Sequence, residues 1–229
     1  MGRIAALLLL AGCGGGGGDG GSAERNIDSA AQERAEAIVL QLNDLPDGWR
    51  ADERDEDDES DREFRRCLGA DYSDLTITGE ASSPNFVMGE ATQVSSEVVI
   101  LASEDEANEA LAALEEGLQT EGLDDCFRDV LAEAADEDEE EFEIGDVQVG
   151  ELSFTPPDVA DARAWQIAIP VEAAPGSEGA GLSITAYADM IVLREGEAIA
   201  TVTTFDVFSA FDSALRDELL ETVADRMSE

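Results

Sequence analysis

Three segments decide the fold: RAWQIAIPV at residues 163–171, LSITAYADMIVLR at 182–194 and AIATVTTFDV at 198–207. In the first, Trp165, Ile167 and Ile169 alternate with smaller or polar residues, which is the period-two pattern of a β-strand. The other two segments are separated by a short turn at Glu195-Gly196, so they predict a β-hairpin. Together they predict an antiparallel sheet.

Helical patterns occur before and after these strands. Ser29 precedes Gln32, and Ser103 precedes Glu106, by the three residues of a capping box. Because helices and strands do not alternate regularly, the sequence predicts an α+β fold, a largely antiparallel sheet with helices packed on one face. The predicted helices run from about Ala30 to Asn43, from Ser103 to near Gly122, from Asp124 to Ala134 and from Asp212 to Met227.

The amino-terminal residues have the order of an export signal. Arg3 precedes a seven-residue apolar run at 4–10, which is too short to span a bilayer. Leu10-Ala11-Gly12-Cys13 resembles the lipobox of bacterial lipoproteins, in which the Cys receives diacylglycerol and the chain is cut just before it. We therefore predict a signal peptide at 1–12 and lipidation of Cys13, which would hold the protein on the outer face of the cell membrane through acyl chains. The alternatives are a soluble secreted protein or a Cys in a low-complexity leader.

Residues 14–21 are glycine except for Asp19, and this composition predicts a flexible tether. The predicted organisation is a lipidated Cys and glycine-rich tether at 13–28, followed by a single extracytoplasmic domain at 29–229. No later stretch is long and apolar enough for a transmembrane helix.

The charge balance excludes several functions. The chain has 55 acidic and 13 basic residues, for a net charge of -42, and every basic residue is Arg. Such a field repels nucleic acid and anionic lipid head groups. The absence of His and Lys excludes Ser-His and Ser-Lys nucleophile pairs, Schiff bases and His-metal sites. Only carboxylate chemistry, such as the acid and nucleophile pair of a glycosidase, remains as an enzymatic alternative.

The cysteine count predicts one disulfide bond. With Cys13 carrying lipid, Cys67 and Cys126 remain as an even pair in an oxidising compartment. A bridge between them would close a loop of about 60 residues. The alternative is two buried free thiols, and two distant Cys without His make a poor metal site.

Other candidate site residues are ambiguous. Asp55, Asp57 and Glu59 have the every-second spacing of a calcium loop but lack its glycine and distal Glu, so a solvated acidic loop is the stronger interpretation; the acidic run 136–141 is interpreted in the same way. Arg163 could meet an anionic ligand or form an internal ion pair. The aromatic residues are either core anchors or the lining of a pocket, with core anchors favoured: Trp49, Phe154, Trp165, Phe205, Phe208 and Phe211.

Several short segments form a recognisable set: Pro46-Asp47-Gly48-Trp49, Cys67-Leu68-Gly69, the strand running into Ser103, Cys126, Ala164-Trp165, the hairpin from Asp189 to Gly196, and Ala224-Asp225-Arg226-Met227. Together they resemble actinobacterial surface lipoproteins related to the extracellular sensor domain of a mycobacterial serine/threonine kinase. The similarity covers most of residues 30–227 and implies a PsbP-like fold. In the kinase sensor, disulfides and a cleft suggest ligand binding, but this chain has a single Cys pair and no kinase domain.

The expected function is therefore that of a non-enzymatic, membrane-anchored extracytoplasmic domain without a cofactor or bound metal. Its expected partner is a small ligand or an envelope protein, and the ligand-binding residues are not specified by the sequence. The alternatives are an accessory envelope lipoprotein without a ligand pocket and, remotely, a carboxylate-pair hydrolase.

Overall fold

The structure, a computed structural model, describes residues 24–52, 67, 74–89, 91–137, 142–173 and 181–229. Its four α-helices in these ranges are α1 (Ser29–Ile38), α2 (Glu104–Leu118), α3 (Leu123–Glu137) and α4 (Ser213–Met227). Its strands are β1 (Glu24–Arg25), β2 (Arg50–Asp52), β3 (Thr76–Ser82), β4 (Asn85–Met88), β5 (Thr92–Leu101), β6 (Phe142–Ile144), β7 (Gln148–Glu151), β8 (Asp161–Ala173), β9 (Ser183–Glu195) and β10 (Ala198–Asp206).

The strands form one open sheet with the order β1-β3-β5-β10-β9-β8-β6. β4 also pairs with β5, β2 pairs with β4, and β7 pairs with β8. These pairs are antiparallel except β1 with β3. The predicted hairpin is β9–β10, and Gly196 in its turn has a φ of 57°, a left-handed conformation that favours glycine. The α+β class with a largely antiparallel sheet is thus confirmed.

The helices, however, are divided between the two faces of the sheet and do not share one. On β9, Met190 and Val192 pack in the core under α2 and α3, whereas Ile191 and Leu193 pack in the core under α1 and α4. Successive residues of a strand point to opposite faces. Because β9 is apolar at consecutive positions, both faces must be covered, and the sequence-based expectation of helices on one face is corrected here.

Helix α1 begins one residue earlier than its predicted capping box. The N-cap is Asp28, whose carboxylate accepts hydrogen bonds from the backbone N–H groups of Ala30 and Ala31 at 2.9 and 3.2 Å. Gln32 instead pairs with the backbone of Glu80: its Nε2 donates to the carbonyl at 2.9 Å and its Oε1 accepts from the N–H at 3.2 Å. The Gln32 amide therefore pairs with the backbone of β3 at Glu80, beyond the residues that pair with β1, as a neighbouring strand would.

The first described residues pair with β3 at one edge of the sheet. Glu24 and Arg25 pair with Thr76 and Ile77, and the N–H of Asp28 donates to the carbonyl of Thr78 at 2.7 Å. Residues 24–28, which the sequence assigns to the tether, therefore pair with β3.

Gly79 allows α1 to lie directly against β3. A Cβ atom at this position would be 2.4 Å from both the carbonyl carbon and the oxygen of Ala31, closer than real Cβ contacts. The obstacle is backbone, so the helix itself would have to move. Only glycine therefore permits this contact between α1 and the sheet.

We expect Gly79→Ala to lower the free energy of unfolding by about 2 kcal/mol, because the added methyl group forces α1 away from the sheet. Urea denaturation of the two proteins measures this. Gly150→Ala on β7 is the matched control, since a Cβ there meets nothing within 4 Å. Equal stability of Gly79→Ala and Gly150→Ala would contradict the close approach.

Candidate functional site

The two cysteines predicted to pair are joined in the structure. Cys67 and Cys126 form a disulfide with a Cα–Cα distance of 5.7 Å and a sequence separation of 59. Cys67 is buried in the core under α2 and α3. Cys126 is on α3, so the bridge ties Cys67 to the helical layer on one face of the sheet. Cys13 lies outside the described residues.

Arg128 on α3 is held by two carboxylates of the same helix. Hydrogen bonds to the carboxylates of Asp125 and Asp129 raise the pKa of Arg128.

The other candidates are distributed widely and do not form one site. Asp55, Asp57 and Glu59 lie outside the described residues, as do residues 138–141 of the second acidic run. Arg163 forms surface ion pairs with Asp161 at 2.5 Å and with Glu115 at 3.9 Å. Across the part of the chain that the structure describes, no group of three or more His, Cys, Asp or Glu residues is arranged to hold a metal ion.

The aromatic residues are largely core anchors, as the sequence favours. Trp165 and Phe205 are buried under α2 and α3, and Trp49 lies 6.2 Å from Phe211 between ring centroids on the opposite face. Phe208 differs, because 67% of it is exposed. It lies two residues after the last residue of β10, at one end of the sheet.

A row of partly exposed side chains crosses five strands at this end of the sheet. Cross-strand register aligns them, and registered neighbours project from the same face. Their burial is intermediate except for Met88, which is 44% exposed. We call this set the open row, which consists of Met88 (β4), Thr92 (β5), Asp206 (β10), Tyr187 (β9) and Ala168 (β8).

The side chain of Asp206 holds the backbone at Phe208 through hydrogen bonds. Its Oδ1 accepts hydrogen bonds from the N–H groups of Phe208 and Ser209, both at 2.9 Å, and its Oδ2 accepts from Oγ1 of Thr92 at 2.8 Å. An Asp that binds the backbone two and three residues ahead closes a tight turn. The exposed phenyl ring of Phe208 is therefore carried by a hydrogen-bonded turn at the end of the open row.

A buried ion pair lies beside the open row, at the adjacent row of registered residues on the same face of the sheet. Asp189 is opposite Gln166 on β8 and Thr204 on β10. Its Oδ2 accepts from Nη1 of Arg216 on α4 at 3.2 Å, and its Oδ1 accepts from Nε2 of Gln166 at 2.8 Å. The side chains of Asp189 and Arg216 are 1% and 6% exposed. This pair fixes the first turn of α4 above the sheet beside the open row.

Three buried polar atoms around the ion pair have no hydrogen-bond partner among the described residues: Nε of Arg216, Oδ1 of Asp217 and Oγ1 of Thr204. The first two form an ion pair at 3.5 Å. No local sequence pattern predicts this network, because Asp189 in β9 and Arg216 in α4 are 27 residues apart. Their pairing depends entirely on where α4 lies on the sheet.

The described strands and helices form an α+β domain with one open, largely antiparallel sheet and one disulfide. The chain matches no protein-family model and no curated protein. Its structure is similar to the extracellular domain of PknH from Mycobacterium tuberculosis, with a TM-score of 0.40 and 11% sequence identity. The similarity covers 89% of this chain and 99% of that domain. Among the described helices, none has the length and apolar character needed to cross a membrane.

Proposed function

We propose that this protein is a lipoprotein held on the outer face of the cell membrane through Cys13, and that its domain is a non-enzymatic binding module. The lipobox-like residues 10–13 and the Cys67–Cys126 disulfide support an oxidising, extracytoplasmic location. The PsbP-like character implied by the sequence resemblance belongs to the same proposal.

The observation that carries the binding role is the position of the open row relative to the tether. β1 pairs with the start of β3, where Ile77 lies opposite Leu101, and the neighbouring Ile100 lies opposite Ala198 at the start of β10. The open row is at the other end of β10, at Asp206. A nine-residue antiparallel strand is about 30 Å long. The open row and Phe208 are thus at the end of the sheet remote from β1, the first described strand.

The hydrogen bonds of the carboxylates in and beside the open row support binding over catalysis. Both carboxylate oxygens of Asp206 accept hydrogen bonds from the turn or from Thr92, and both oxygens of Asp189 accept from Gln166 or Arg216. An acid–base pair needs carboxyl groups that can reach a substrate. A hydrolase based on Asp189 and Asp206 is therefore disfavoured. An accessory lipoprotein without a binding partner is the remaining alternative.

Metabolic labelling with palmitate tests the anchor. We expect label on the wild-type protein in the membrane fraction, and we expect Cys13→Ser to lose both the label and the membrane association, because the thiol is the acylated group. Asp19→Ser, which changes the glycine-rich tether but not the thiol, should retain both. Labelled or membrane-bound Cys13→Ser protein would refute anchoring at this residue.

A further inference from the structure

The large exposed apolar side chains of the described residues differ in how they are held. Phe208 and Leu182 are similarly exposed, at 67% and 64%. Among the described residues, the backbone of Leu182 makes one hydrogen bond, from the N–H of Ala173 to its carbonyl at 3.0 Å, whereas Phe208 is an aromatic residue on the turn that Asp206 closes with two. An aromatic ring on an ordered backbone loses little conformational entropy when a partner covers it. Phe208 is therefore suited to act as a binding anchor.

Apolar side chains on the open row enlarge the contact surface that Phe208 offers. Tyr187 and Met88 lie on the open row, one strand and two strands from Asp206 respectively, at about 4.8 Å per strand. Aromatic residues and Met are enriched in protein interfaces. A ring that is two-thirds exposed projects from the surface and does not line a cavity. The arrangement thus fits a partner that supplies a pocket better than it fits a small ligand.

Position and charge decide between the occupants that could cover this surface. Under the proposed anchor, the open row is at the end of the sheet remote from the attachment, so the protein's own membrane is a poor candidate. A second copy is disfavoured because each chain has a net charge of -42 and the copies repel each other. The same field attracts a basic protein and accelerates its association.

We propose that Phe208 and the open row form a docking surface for a second extracytoplasmic protein of basic character, whose pocket accepts the Phe208 ring. This rests on the proposed function, since it requires the domain to be outside the membrane with the tether at the opposite end. The acidic surface steers the partner, and Phe208 with Tyr187 and Met88 supplies the apolar contact.

The test begins with the full-length, anchored chain in intact cells, with the photoreactive residue benzoylphenylalanine at position 208 and, as the matched control, at position 182. We expect an adduct with one basic protein from position 208 that is absent or much weaker from position 182. An adduct with lipid, with a second copy or with an acidic protein would overturn the proposal, as would equal or no adducts from the two positions.

The cross-linked protein is then purified and its Kd for the full-length lipoprotein is measured. We expect Phe208→Ala to weaken binding about thirtyfold, as truncation of a central aromatic anchor does, and Leu182→Ala to leave it unchanged. Association should slow as salt is raised from about 0.01 to 0.15 M. Equal affinities of the two variants, or salt-independent association, would overturn the docking surface. Palmitate labelling reports on the anchor independently, so failure of the anchor and failure of the docking surface are distinguishable.

Discussion

Asp189→Ala is expected to lower the free energy of unfolding by about 3 to 5 kcal/mol, because it leaves the guanidinium of Arg216 charged and buried without its partner. Asp189 accepts from Arg216 at 3.2 Å, and both side chains are almost fully buried. Gln166 also loses its hydrogen-bond acceptor. Urea denaturation monitored by circular dichroism measures the change.

The double variant Asp189→Leu with Arg216→Met is the control for this prediction. Replacing both members of a buried ion pair with apolar residues is often neutral or stabilising, because neither charge then has to be desolvated. We expect the double variant to recover most of the stability that Asp189→Ala loses. A double variant as unstable as Asp189→Ala would show that the cost does not come from an unpaired buried charge.

The double variant Cys67→Ser with Cys126→Ser is expected to be less stable by about 4 kcal/mol, because the bridge joins residues with a sequence separation of 59 and restricts the unfolded chain. Guanidinium denaturation of the double variant and of the wild-type domain, with and without reductant, measures this.

Reductant supplies an internal control for the disulfide. Reduced wild-type protein should match the double variant, and reductant should leave the double variant unchanged. Equal stability of oxidised wild-type protein and the double variant would contradict a bridge that stabilises the fold.

Local sequence signals predicted the individual elements well. The alternation in residues 163–171 and the turn between 194 and 198 correspond to β8 and the β9–β10 hairpin. Ser103 is the N-cap of α2, as its spacing from Glu106 predicts, and accepts from the N–H of Glu106 at 3.2 Å. The Glu106 carboxylate, however, accepts from Thr76 on β3 at 2.7 Å. Hydrogen bonds between distant segments are not specified by local spacing.

The arrangement of the layers and the open row could not be predicted in the same way. Consecutive apolar residues such as Met190 and Ile191 indicate a strand that is buried on both faces, but they do not specify which helices cover each face. Asp28 and not Ser29 caps α1, because Gln32 is used on the edge of β3. Residue type alone favours a core position for Phe208, whereas the structure places it exposed on the turn closed by Asp206. That turn is local, but the layer arrangement and the use of Gln32 depend on tertiary contacts.

The measurement that tests the account most directly is the intact mass of the protein extracted from membranes under non-reducing conditions. The account predicts a chain that begins at Cys13, carries the added mass of diacylglycerol with or without a further acyl chain, and lacks the two hydrogens lost when Cys67 and Cys126 are joined. An unmodified chain that still contains residues 1–12, or a chain with two free thiols, would contradict it.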